Sequence, residues 1–304
     1  MGDAPLAWAA RNGHEAVVEI LLGRNDIDPN KPGVCGQTPL FLAASYGHAG
    51  VANILLGRDD IEPDKPDEDG HTPLLRAARN GHKEIVEILL GRNDINPNKP
   101  GVYGQTPLLL ATYNGHAGIV NILLGRDDIE PDKPDEDGYT PLLRAARNGH
   151  EGVVKILLGR DDVNPNKPNR YGETPLLWAV YFGHGGVAKI LLGRDDVDPN
   201  KPDNEGHTPL WWAAYYGRET ALKLLLGRDD INPDEPNNHG RTPLSCTAYN
   251  GHERVVGLLL GRDDVNPDKP DNQGQTALSC AAKHGHTGVT ALLQPQTSAT
   301  HSTD

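Results

Sequence analysis

Residues 72–105 read TPLLRAARNGHKEIVEILLGRNDINPNKPGVYGQ, and their punctuation decides how the chain folds. Thr72 followed by Pro73 is an N-cap with proline at the first helical position, where its missing N–H costs nothing. Leu74, Ala77 and Ala78 then fall on one helical face, and Gly81 is placed to end the helix in a left-handed cap. A second helix is expected next, with Ile85, Ile88 and Leu89 as an apolar stripe widened by Val86 and Leu90, stopping at Gly91. The stretch after it is rich in Asp, Asn and Pro and closes on a Gly two residues before the next Thr, as a turn or hairpin does. The segment therefore reads as helix, turn, helix and an extended finger.

The same segment recurs along the whole chain. TPL begins at Thr38, Thr72, Thr106, Thr140, Thr174, Thr208 and Thr242, with APL at Ala4 before them and TAL at Thr276 after them, always 34 residues apart. One such segment cannot bury its own apolar face, whereas stacked copies can, so nine copies predict an all-α solenoid. With helices about 10 Å apart, it would be a curved rod on the order of 80 to 90 Å long. The boundaries expected are a solenoid over residues 1–293, whose first repeat lacks its finger and whose last is a cap, and a disordered polar tail over 294–304. The missing first finger and the single methionine, Met1, lead to the expectation that the array once continued upstream.

The pattern D-x-x-G-x-TPL-x-x-AA-x-x-GH-x-x-VV-x-LLL resembles the ankyrin repeat from residue 4 to about residue 293. The resemblance implies stacked helix pairs with β-hairpin-like fingers and a non-catalytic binding role. The family's His after TPL is absent: Ala7, Phe41, Leu75, Leu109, Leu143, Leu177, Trp211, Ser245 and Ser279 stand there, and apolar packing is expected to substitute. The loop GRDDVNPDKP and the close likeness among repeats also resemble the ankyrin tails of fungal NACHT or NB-ARC immune-type (NLR-like) receptors.

If Leu74, Ala77 and Ala78 face the core, Arg76, Arg79 and Asn80 face away. The resemblance implies that this face of each first helix, with the finger tips, lines a concave groove. The equivalent positions hold Trp8, Tyr46, Arg76, Arg79, Tyr113, Arg144, Arg147, Trp178, Tyr181, Phe182, Trp212, Tyr215, Tyr216 and Tyr249, together with Leu42, Leu110, Cys246 and Cys280. The finger tips add Cys35, Tyr103, Tyr139 and Tyr171. Of the 15 aromatic residues, only Phe41 and Trp211 lie elsewhere. Tyr, Trp and Arg are the residues from which interface hot spots are usually made, and the densest group is the six of residues 178–182 and 212–216. The plainer alternative is that the rings stack on one another and only stiffen the array, and that the Arg residues pair with acidic fingers such as Asp67–Asp69 and Asp135–Asp137. A longer rhythm is also visible, since DDIEPDKPDEDG occurs at 59–70 and 127–138.

Charge and motif content narrow the function. A formal charge of −13 argues against nucleic acid or an anionic membrane as the main partner. No run of about 18 or more apolar residues occurs. Three cysteines fit a reducing, cytoplasmic compartment better than secretion. His14, His48, His82, His116, His150, His184, His252 and His286 recur one per repeat, with Arg218 in the remaining one, which suits hydrogen bonds to neighbouring backbone better than convergence on a metal. No phosphate loop, HExxH or nucleophile elbow is present. The expectation is a module without catalysis, metal or cofactor, monomeric as an isolated array, that grips a protein or peptide. It would be the sensing region of a fungal NLR-like receptor or, alternatively, a free-standing scaffold bridging cytosolic partners. A small-molecule or glycan binder remains a third class.

Overall fold

The structure, a computed structural model, describes residues 4–294; of the expected tail, all but the first residue lies outside them. Eighteen α-helices are formed among these residues, two per repeat, and no strand. The chain separates into two compact bodies, Met1–Arg170 and Tyr171–Asp304. In the first body the first helices of successive repeats, α1 (Pro5–Arg11), α3 (Pro39–Tyr46), α5 (Pro73–Asn80), α7 (Pro107–Tyr113) and α9 (Pro141–Arg147), pack each against the next. In the second, α11 (Pro175–Phe182), α13 (Pro209–Tyr215), α15 (Pro243–Asn250) and α17 (Ala277–Lys283) do the same. Within each body the second helices likewise pack each against the next.

Each helix starts and stops for the reasons its sequence supplies. Thr72 Oγ1 accepts the Leu75 N–H at 3.2 Å, and the same cap recurs from Thr38 to Thr276. Such a cap contributes about 1 kcal/mol. Gly47 closes α3 at φ +84°, and a Cβ there would lie 2.8 Å from the ring of His82 in the next repeat. Glycine is thus required twice over, for its backbone conformation and for the approach of that ring. Between the helices the core is small: Ala43, Ala44, Ala77 and Ala78 are fully buried beside Leu40 and Leu74. Each buried leucine contributes roughly 1.5–3 kcal/mol. The position where the family carries His is filled by buried Phe41, Leu75, Leu109, Leu143, Leu177 and Trp211, as the apolar reading expected.

Polar groups tie one repeat to the next through the backbone. His48 Nε2 donates to the carbonyl of Arg11 at 2.9 Å, His150 to that of Tyr113 at 3.0 Å and His252 to that of Tyr215 at 3.0 Å. Where Arg218 replaces His, its guanidinium reaches the carbonyl of Tyr181 at 3.3 Å. In the GRDD and GRND loops the Arg clamps the Asp two positions on, as Arg126 does Asp128 at 2.8 Å. Nη1 of Arg58, Arg92, Arg126, Arg160, Arg228 and Arg262 reaches a carbonyl at the end of the preceding repeat's second helix, Leu90 at 3.0 Å for Arg126. The fingers differ from the hairpin expectation. Each is a tight turn, in which Asp67 donates its N–H to the His71 carbonyl at 2.9 Å and its side chain accepts the His71 N–H at 2.8 Å. Three intervening residues leave no length for a ladder. Neighbouring fingers are joined by single backbone bonds, such as Glu68 N–H to Cys35 O at 3.0 Å.

Candidate partner-binding face

The outward positions of the first helices are not equally outward. Trp8, Tyr46, Arg79, Tyr113, Phe182, Tyr216 and Tyr249 are exposed, whereas Leu42, Leu110, Cys246 and Cys280 are buried, against expectation. The first of the three positions sits on the flank where the neighbouring first helix crosses, so only a large or charged side chain can climb out of it. Burial pushes the Cys246 thiol well above its ordinary range and raises Cys280 as well. Both are free thiols.

In the first body the groove-facing arginines are mostly engaged within the chain. Arg76 pairs with Asp67 at 3.4 Å and stacks over buried Phe41, 5.5 Å from its centroid. Arg144 pairs with Asp135 and lies 3.9 Å over the ring of Tyr139, with Tyr113 at 5.9 Å. Tyr139 is consequently not a finger tip: at 8% exposure it is a buried platform two positions beyond the tip, in the slot that His71 and Gln105 hold in the repeats before it. Arg147 reaches the same ring at 5.7 Å. Arg79 makes no ion pair among the described residues. It borders a recess of about 550 Å³ with Asp69, His71, Tyr103, Tyr113 and Arg144. The tip residue Tyr103 is 68% exposed and holds φ +61°, a left-handed conformation that costs a non-glycine residue energy and recurs only at Cys35 among the described residues. Burial, then the Arg76 charge, keep His71 below its ordinary pKa. Asp67, Asp69 and His71 are the one grouping of metal-ligand type among the described residues, and Arg76 Nη2 already sits 3.2 Å from His71 Nδ1 within it.

The second body carries the dense aromatic group, and its rings are held by one another. Trp178 stacks on Phe182 with an interplanar angle of 11°, and Trp212 on Tyr216 at 13°. Tyr181 stands edge-on between the two stacks, 5.0 Å from the centroids of Phe182, Trp212 and Tyr216. Behind them buried Trp211 stacks on Tyr215 and donates its indole N–H to the Arg241 carbonyl at 3.0 Å. Trp212 donates to Asp203 at 3.2 Å, and His207 lies at the same distance from that carboxylate. Burial opposes the Asp203 charge, but hydrogen bonds from His207 and Trp212 hold its pKa below the ordinary value. Burial, then the hydrogen bond with Tyr181, push the Tyr216 phenol up to about 12. Phe182 and Tyr216 still present 40% and 36% of their surface to solvent, so the group is a ring cluster open at these two residues rather than a closed core. Tyr171, at the first finger of this body, is 56% exposed.

No helix among the described residues is long and apolar enough to cross a membrane. No curated protein matched the chain. The family description "Ankyrin repeats (3 copies)" matches residues 6–100, 92–169, 161–237 and 228–303, covering nearly the whole sequence. Ankyrin repeats form a non-catalytic binding fold whose usual partners are proteins. With helix pairs repeating at the matched positions, the chain belongs to the ankyrin-repeat family.

Proposed function

We propose that this protein binds a protein or peptide along the groove face of its first helices, with the aromatic cluster of residues 178–182 and 212–216 as the principal anchor. The observation that carries this reading is the arrangement of Trp178, Tyr181, Phe182, Trp212 and Tyr216, packed edge and face and still open on Phe182 and Tyr216. Rings fixed before binding lose little conformational freedom on contact, which is the condition under which aromatic surface becomes affinity. Exposed Trp8, Tyr46, Tyr103, Tyr113 and Tyr249 extend the same chemistry to other repeats. Arg76 and Arg144, already paired with Asp67 and Asp135, lie over Phe41 and Tyr139, and Arg79 is a cation available to a partner.

The module acts without catalysis, in the cytoplasm, as a monomer, and without nucleic acid or membrane as its main partner. The finer reading, a ligand-sensing region of a fungal NLR-like receptor, rests on the resemblance of the loops and repeats to those receptor tails. The alternative is a scaffold bridging cytosolic proteins. The test is affinity capture with wild type and Phe182→Ser/Tyr216→Ser, after circular dichroism shows equal helix content. A partner held by wild type and lost by the variant supports the groove reading. Equal capture by both would assign the rings to stiffening alone.

A further inference from the structure

The loop after each second helix carries an Asn or an Asp at one fixed position, and the two residues do different things there. Where it is Asn, the amide staples its loop to the next. Asn30 Nδ2 donates to the Asp60 carbonyl at 2.7 Å while its Oδ1 accepts the Glu62 N–H at 2.8 Å. Asn98 does the same with Asp128 and Glu130, at 2.6 and 2.9 Å, and Asn200 with Asp230 and Asn232, also at 2.6 and 2.9 Å. In three of the four repeats where it is Asp, the exception being exposed Asp268 of the last loop, only the accepting half is made. Asp64 Oδ2 takes the Asn96 N–H at 2.9 Å, Asp132 Oδ2 that of Asn164 at 2.8 Å, and Asp234 Oδ2 that of Asn266 at 2.7 Å. The second oxygen, Oδ1, is buried without a hydrogen-bond partner in all three. By register it occupies the place of the amide nitrogen, facing the carbonyls of Asp94, Asp162 and Asp264. Two acceptors then meet with no hydrogen between them, and of the two only the carboxyl can carry one.

We propose that Asp64, Asp132 and Asp234 are proton-binding sites, each taking a proton on Oδ1 and donating it to the carbonyl of Asp94, Asp162 or Asp264, which completes the staple that Asn makes elsewhere. The cations nearby do not serve instead. Lys99, Lys167 and Lys269 are spent on the backbone carbonyls of these aspartates, at 2.7, 2.7 and 2.9 Å. Lys65 and Lys133, on the aspartates' own loops, pair with Glu62 and Glu130, and Glu235 accepts from Asn232. Arg92, Arg160 and Arg262 are clamped on the Asp94, Asp162 and Asp264 carboxylates. Burial raises all three carboxyls above the ordinary value of 3.8. The Asn N–H and the Lys charge pull the other way, and the facing Asp94, Asp162 or Asp264 adds to the rise. A carboxyl raised on folding takes up a proton as the chain folds. Its contribution is therefore complete below the ordinary value and is lost as pH rises through the raised one. The loop junctions it closes tighten on mild acidification, opposite in sign to Asp203 and Asp271, whose lowered values make their contribution disappear as pH falls.

The test is a carbon-detected carboxyl titration of the full chain, combined with unfolding of Asp64→Asn/Asp132→Asn/Asp234→Asn across pH. The expected result is three carboxyl midpoints above 3.8. Near neutral pH each replacement should favour the folded state by about threefold to tenfold, as one recovered hydrogen bond would. That gain should shrink as acid protonates the wild-type carboxyls. Asn98→Asp is the reciprocal variant: it should lose stability near neutrality and regain it on acidification. Midpoints at or below the ordinary value, or an effect of either replacement that does not change with pH, would overturn the proposal.

Discussion

The two bodies hold their groove side chains by different means. In residues 4–170 an arginine lies between a carboxylate and a ring: Arg144 on Asp135 and Tyr139, Arg76 on Asp67 and Phe41. In residues 171–294 rings hold rings, with Tyr181 wedged between the Trp178–Phe182 and Trp212–Tyr216 stacks. One arrangement is closed, because its charges are already satisfied. The other leaves apolar faces open. The difference teaches that an exposed-looking position in a repeat is defined by what the preceding loop sends toward it, and only then by the helix.

The comparison can be broken most forcefully at the position behind each arrangement. Trp211→Ala should cost about 4 kcal/mol, because the buried indole leaves a cavity, and it should also dismantle the Trp211–Tyr215 stack. Denaturant unfolding measures the loss, and near-ultraviolet dichroism should show the aromatic signal collapsing as well. Phe41→Ala, at the equivalent position of the first body, should destabilise similarly while leaving that signal largely in place. If Trp211→Ala preserves the aromatic signal, the ring cluster does not depend on its buried support.

Next in size is Arg144→Met, which strands the Asp135 carboxylate, itself only 3% exposed. The expected cost is about 3 kcal/mol, at the lower end for a broken buried pair because backbone N–H groups of Tyr139 and Asp137 still serve Asp135. Arg79→Ala, without an ion pair to lose, should leave the unfolding midpoint unchanged. Equal effects would mean that the two arginines are not in different states.

The smallest effect concerns Tyr216. Its phenol should ionise at about 12, against an ordinary 10.0, in an ultraviolet difference titration. Because the folded value is raised, the stability it contributes is intact below the ordinary value and is lost as pH climbs through the raised one. Tyr181→Phe removes the hydrogen-bonded neighbour and should lower the midpoint. A Tyr216 midpoint at the ordinary value would mean that the ring cluster is loosely packed.

Much of this was legible in the sequence because it is local. The 34-residue period, the Thr-Pro starts and the glycine stops depend on residues within a few positions of one another, and every first helix but the earliest begins with the threonine cap. The histidine bonds to neighbouring backbone were also readable, since one ring per layer suits nothing that needs convergence. What was not legible was rotation about the helix axis. Spacing places Leu42, Cys246 and Trp178 on one line, yet the neighbouring helix buries the first two and leaves the third partly open. Tyr139 belongs by the 34-residue period with His71 and Gln105 rather than with Cys35, Tyr103 and Tyr171, so its register is legible, whereas its burial against Arg144 is not. Charge alone could pair Arg76 with Asp67, Glu68 or Asp69. Only the turn shows that Asp67 points inward.

The histidine bond has a consequence for how such an array can change. His48, His150 and His252 each reach a main-chain carbonyl, and the arginine clamps likewise end on main-chain carbonyls of the layer before. A repeat therefore asks its predecessor for a backbone at the right height, a glycine where its ring must pass and an Asn or Asp in the loop before it, which nearly every layer supplies alike. Layers joined on such terms are interchangeable: one can be duplicated, deleted or exchanged with another, and its successor still finds the carbonyl it needs. The face presented to a partner can then be rewritten layer by layer while the spine that carries it stays the same.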